Sequence, residues 1–326
     1  MPETRRDPVI LRGISSRAWE HPADRGALVA LRELKGFDVV LRKLFSLLPE
    51  RAIRLQYLGG SVRVDRHQYQ SVHNAYLSVA SVLDVPEPPE LYVTQDPYLN
   101  GMTIGLDKPI IVINSAAVSQ FDEAELRFLL GHELGHAQSG HALYKTMLSV
   151  LLALTGSVSW IPGGAIGLRL LIAALYEWDR KSELSADRAG LLAVQNPTVG
   201  IRQLAKLAGG GDLSEIDIAA FLEQAKEFEG GGDLRESFLK ILMISHRTHD
   251  FPVERAAALN RWVTDGEYQD TLAGNYARRE DDGDTNLTEE AKSAARHYRD
   301  EFNRSEDPLT KTLRKLKERV TPPSDN

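Results

Sequence analysis

His132-Glu133-Leu134-Gly135-His136 sets two imidazoles four residues apart with a carboxylate between them. On a helix, four residues is a little over one turn, so both rings leave the same face and can share one tetrahedral ion. Glu133 stands beside them, placed to take a proton from a water at that ion. The chemistry this points to is metal-assisted hydrolysis. A catalytic zinc also needs a third protein ligand and an open fourth position. The chain has no cysteine, which excludes thiolate ligands, thiolate nucleophiles and disulfides together and leaves His, Asp and Glu as the strong ligands.

The metzincin spacing places Gly and His three and six residues beyond the second histidine. Here Gly140 and His141 stand four and five residues beyond it, so that class is excluded. If the helix continues, His141 lies about 140° around it from His136 and reads as a surface or second-layer histidine. Glu183, in Glu183-Leu-Ser-Ala-Asp187, is the better candidate for the third ligand. Glu183 and Asp187 share one helix face; one carboxylate can bind metal while the other orients a histidine ligand. Ala186, Ala189 and Gly190 are small enough to let this helix approach the first one closely.

Those residues need elements to carry them. Asp122 with Glu125 three residues on has the form of a capping box and opens a helix predicted from Ala124 to about Leu154. A second helix is predicted from about Trp178 to Gln195. Between them, residues 147–178 are the most apolar part of the chain and read as two segments joined by a turn at Pro162-Gly-Gly164. Met147 to Ile161 is interrupted by Thr155, Gly156 and Ser157, and the second segment carries Arg169. Neither half offers the ~20 apolar residues a spanning helix needs. A buried hairpin is expected, with peripheral membrane contact through 147–178 as the alternative.

Upstream, the spacing from Pro22 to about Leu48 predicts amphipathic helices broken near Gly36, after a lead-in that reads as extended. Another helix is predicted from about Gln68 to Leu83. Two β-branched runs, Glu90 to Thr94 and Pro109 to Asn114, are separated by an Asn-, Gly- and Asp-rich loop and suit a small sheet. More helix follows to about Val263, and beyond Asp265 the chain turns strongly polar. The expected organisation is an N-terminal helical segment (1–65), a metallopeptidase domain (66–265) and a polar, partly disordered C-terminal tail (266–326).

The 326 residues carry 46 acidic and 39 basic side chains, a net charge of −7, with no basic stripe to follow a phosphate backbone. Nucleic acid is therefore excluded as the expected partner. The N-terminus is charged and no apolar run follows it, so it reads as neither a signal peptide nor a first anchor. The expected location is the cytoplasm, or the cytosolic face of the cell membrane if the apolar segment makes contact there.

H-E-L-G-H, then E-x-x-x-D, then a late histidine with an arginine six residues on resembles the M48 metallopeptidases, the HtpX and Ste24 type, and most closely their soluble-looking actinobacterial members. The resemblance covers roughly Leu91 to Leu259, with the N-terminal helices as a candidate extension of it. It implies an α+β, predominantly helical gluzincin domain with a small sheet and an H-E-x-x-H helix. It further implies one Zn2+ per chain held by His132, His136 and Glu183, with Asp187 as the supporting carboxylate. By the same resemblance Asn100, in Leu99-Asn-Gly101, binds substrate backbone; Gly101 stands where relatives carry Ala. In Thr248-His249-Asp-Phe-Pro-Val-Glu-Arg255, His249 would donate to the developing oxyanion and Arg255 would hold the local structure, although Asp250 replaces the usual Pro and His246 competes nearby. The implied activity is zinc-dependent endopeptidase action on protein or peptide substrates, with Glu133 as the base. The alternative is a zinc-binding adaptor of a membrane-stress pathway, against which the intact Glu133 argues.

Overall fold

The computed structural model describes residues 8–32, 37, 50–158, 164–210, 213–230 and 251–282. In chain order the larger elements are α1 (Pro22–Arg32), α2 (Glu50–Gly60), β1 (Val62–Arg63), α3 (Gln70–Val82), β2 (Glu90–Thr94), β3 (Gly101–Ile104), β4 (Ile110–Asn114) and α4 (Ser115–Gln120). Then come α5 (Glu123–Gln138), α6 (His141–Val158), α7 (Gly164–Val194), α8 (Pro197–Gly209), α9 (Ile218–Gly230), α10 (Pro252–Thr264) and α11 (Glu267–Leu272). Helices predominate around one small sheet, as the sequence implied.

The sheet runs β1-β2-β4-β3, with β2 and β4 parallel and the outer strands antiparallel to their neighbours. Period-two alternation gives it two faces. Leu91, Val93, Ile111 and Ile113 point into the main core, whereas Tyr92, Ile110 and Val112 pack against Ile53 and Tyr57 of α2. Both apolar runs therefore form strands; β3 lies where the sequence signalled loop, and β1 lies in the expected N-terminal helical segment. β3 escaped notice because its four residues open on a glycine and sit among turn-forming residues. Among the described residues β3 is an edge, with no strand paired on its far flank.

Two helices carry the chemistry. The predicted capping box opens α5: Asp122 accepts from the Glu125 N–H, and Glu125 accepts from the Asp122 N–H, both at 2.9 Å. Such a cap contributes about 1 kcal/mol. The helix does not run on to Leu154. It stops at Gln138, because Gly140 takes a left-handed conformation (φ +70°) that β-carbon-bearing residues avoid, and α6 starts afresh at His141. In contrast, the apolar segment after Gly164 and the Glu183 helix are one continuous helix, α7. It lies tight against α5: a Cβ on Gly131 or Gly135 would come within 2.5 Å of Ala193 or Ala189. Small residues on both helices permit this approach, as anticipated for Ala186, Ala189 and Gly190.

The described ends of the apolar stretch pack inward. Tyr144, Met147, Leu148 and Leu151 of α6 meet Leu171, Ile172, Leu175 and Trp178 of α7 and Ala27 and Leu31 of α1. No described helix is long and apolar enough to cross a membrane; of the turn expected at Pro162-Gly-Gly164, residues 162 and 163 lie outside the described residues and Gly164 opens α7. The lead-in departs from expectation: Leu11, Ile14 and Trp19 are fully buried in the main core. Their spacing follows neither helix nor strand, which hid that role. The polar tail beyond Asp282 lies outside the described residues.

Candidate metal centre

α5 and α7 bring His132, His136 and Glu183 together, with one donor atom from each lying within 4.8 Å of the others. All three are buried. Nε2 of His132 is 3.5 Å from Glu183 Oε2, and Nε2 of His136 is 3.3 Å from Glu183 Oε1, so both rings turn the same nitrogen inward. Two neutral imidazole nitrogens and a carboxylate are a donor set that suits zinc with a position left open.

Asp187, one turn beyond Glu183, takes the outer nitrogen of the first histidine: His132 Nδ1–H donates to Oδ1 at 3.0 Å. Arg255, at the start of α10, clamps Asp187 with Nε to Oδ2 at 2.8 Å and Nη2 to Oδ1 at 2.6 Å. Its Nη1 reaches Glu183 Oε2 at 3.0 Å. The late arginine thus contacts both carboxylates of the α7 pair, beyond the local structural role first expected of it.

Glu133 lies on the sheet side of the site. Its Oε2 accepts from the Thr103 hydroxyl at 2.7 Å, and a Cβ on Gly101 would come 2.9 Å from its Oε1. Edge strand β3 therefore passes directly over the carboxylate. Asn100 immediately precedes that strand, and its carbonyl accepts from the Asn114 N–H at 2.9 Å. His249 and its competitor His246 lie outside the described residues.

Two contributors, Lys145 and Thr103, have no place in the sequence reading, and His141 takes a definite one here. Lys145 donates to Glu183 Oε1 and pairs with Asp179 Oδ1, each at 2.7 Å. It is the sole charged residue between His141 and Arg169, and a lone charge in an apolar run needs a buried partner, a signal that was available. Thr103 carried no signal, being one small polar residue in a loop-like stretch. His141 was left between surface and second layer. The Gly140 turn, instead of carrying it around α5, folds it back so that its Nδ1 lies 2.9 Å from His136 Nδ1.

The electrostatics favour a cation. Asp24, Glu133, Asp179, Glu183 and Asp187 are all buried here; among the described residues Lys145 pairs with Asp179 and Glu183, and Arg255 with Glu183 and Asp187. Buried carboxylates in excess are costly without a compensating charge. Burial opposes charge on His132, but Asp187 and Glu183 outweigh it and raise its pKa to about 9. Burial and the nearby Lys145 drive His136 well below the ordinary histidine value. Burial also raises the Glu133 carboxyl, against the pull of His132 and Thr103.

The sequence model of peptidase family M48 matches residues 66–263. The chain belongs to peptidase family M48. Among curated relatives, the plastoglobule-localized metallopeptidase 48 of Arabidopsis thaliana chloroplasts is 30% identical over 81% of this chain and 78% of its own length. The human mitochondrial metalloendopeptidase OMA1 is 30% identical over 39% of this chain and 29% of its own. A protease HtpX homolog of Streptomyces coelicolor is 26% identical over 47% and 58%. No solved structure matches. This M48 chain is a metalloendopeptidase with protein or peptide substrates, and its His132, His136 and Glu183 cluster is the candidate metal site.

Proposed function

We propose that the chain is a zinc-dependent endopeptidase in which His132, His136 and Glu183 hold one zinc ion and Glu133 is the general base. The observation that carries this reading is the position of Glu133, held between the three donors and an edge strand. The zinc would supply Lewis acidity to the scissile carbonyl and to the attacking water. Glu133 Oε1 accepts the proton of that water and passes it to the leaving amine. Thr103 pins Oε2, so the oxygen facing β3 is the one left to work. Burial, by raising the Glu133 carboxyl, makes its carboxylate a stronger proton acceptor. An extended substrate adds as a strand to β3, with Asn100 binding its backbone and the scissile bond brought past Glu133. In this reading His249 donates to the developing oxyanion, a role that rests on the family resemblance of Thr248-His249 and Arg255. The direct test is Glu133→Gln: it should retain about one zinc per chain and lose a factor of ~100 to 10,000 in peptide cleavage, the scale of proton-transfer catalysis. Wild-type cleavage by that variant would exclude Glu133 as the base.

A further inference from the structure

The first 65 residues precede the matched family region, yet they reach the metal site. Asp24 of α1 is buried, and its Oδ2 lies 3.1 Å from His141 Nε2. The same oxygen accepts from Ser185 Oγ at 2.6 Å, and Ser185 in turn accepts from the His21 N–H at 2.8 Å. Trp19 donates its indole N–H to Ser139 Oγ at 3.1 Å, tying the same segment to the turn that delivers His141. His141 also stands edge-on to Trp178, with ring centres 5.5 Å apart, so its plane is held from a second side.

Proton placement follows from these contacts. With a zinc ion on the Nε2 that faces Glu183, His136 would keep its hydrogen on Nδ1 and donate it to His141 Nδ1. His141 must then carry its own hydrogen on Nε2, which donates to Asp24. Each hydrogen has one place, and the carboxylate at the end is fixed by a hydroxyl.

We propose that Asp24 and His141 are positioning residues for His136, so that the N-terminal helix, outside the matched family region, sets the tautomer and orientation of the second metal ligand. The proposal rests on the reading of His132, His136 and Glu183 as zinc ligands. Partners that orient a ligating histidine contribute about 10- to 100-fold in metal affinity. Asn in place of His141 keeps an acceptor where Nδ1 stood, whereas Phe keeps the ring volume and removes it.

The experiment measures zinc affinity of the full-length chain by chelator competition, with the visible absorption spectrum of the cobalt-substituted protein as a readout of ligand geometry and thermal melting as a check on folding. His141→Phe should weaken zinc about 10- to 100-fold and shift the cobalt bands, His141→Asn should recover most of that loss, and Asp24→Asn should weaken zinc about 10-fold. Wild-type affinity and spectrum in folded His141→Phe would overturn the proposal, as would a lower melting temperature alone. If His141→Phe does not fold, Asp24→Asn decides the matter, and wild-type zinc affinity there is the overturning result. Failure of the wild-type chain to bind zinc would instead overturn the ligand reading itself, and the proposal with it.

Discussion

His132 and His136 stand one turn apart on α5, and different parts of the chain steady them. The outer nitrogen of His132 meets a carboxylate directly, and that carboxylate is gripped by Arg255. The outer nitrogen of His136 meets the His141 imidazole, and the carboxylate comes one residue later, from α1. Direct contact with an anion favours the charged imidazolium, and the pKa of His132 is raised to about 9. At His136 burial and Lys145 prevail, so that ring stays neutral. Two residues that look equivalent in H-E-x-x-H thus differ in how strongly a proton would compete with a metal ion bound there.

The largest effect should come from the residue both sides share. Glu183 faces each histidine with a different oxygen, so Glu183→Ala should strip the metal and reduce cleavage to background. Asp187→Ala, which touches only the His132 side, should cost about 10- to 100-fold in zinc affinity. Metal analysis after dialysis against a weak chelator separates the two. Full zinc occupancy in Glu183→Ala would move the third ligand elsewhere, with Asp179 or Asp187 next in line.

The difference between the histidines should also be visible as a pH slope. Folding raises the His132 pKa from 6.5 to about 9, so its protonation stabilises the metal-free fold fully below pH 6.5. That contribution is lost as pH rises through 9, and the span corresponds to about 3 kcal/mol. His21 and His136 are shifted downward, so they cost stability only on the acid side of their ordinary value. Denaturant melts of metal-free protein should therefore weaken between pH 6.5 and 9. Asp187→Asn should flatten this slope while Asp24→Asn leaves it in place. Equal slopes in both variants would erase the distinction between the two supports.

Most of the His132 side was legible in the sequence. The capping box and the i, i+4 spacings of His132 with His136 and Glu183 with Asp187 are local, and a helix converts such spacing into a shared face. The His136 side was not legible, because it depends on a turn and on residues far apart in the chain. Extending α5 through Gly140 sent His141 the wrong way around; one glycine φ corrects that placement and leaves, of its surface and second-layer readings, the second-layer one. Asp24 looked like one more charge on an amphipathic helix, since nothing local records that α1 packs on α7 with its first turn at Ser185. Strand β3 was hidden for a related reason: four residues beginning with Gly101 acquire strand character only by pairing with β4.

The smallest effect should fall on neither histidine. A Cβ at Gly101 would lie 2.9 Å from Glu133 Oε1, 3.1 Å from Cγ and 3.2 Å from Cδ, closer than such atoms rest. The obstructed atoms belong to the end of a flexible side chain, so the fold can yield there at little cost. Thr103 still grips Oε2, however, and limits how far the carboxylate can swing. Gly101→Ala should therefore displace the base by a few tenths of an ångström, lowering kcat about 3- to 10-fold where a lost base would cost ~100-fold or more. Zinc affinity, and the pH slope that marks His132, should be unchanged, because no atom of either support is touched. Relaxing the grip with Thr103→Val in the same chain should soften the penalty of the added methyl. If Gly101→Ala alone cleaves at the wild-type rate, Glu133 has slack beneath the edge strand and its pinning does not limit the reaction. If the variant loses zinc, the base and the metal ligands share a support that the two histidine networks do not contain.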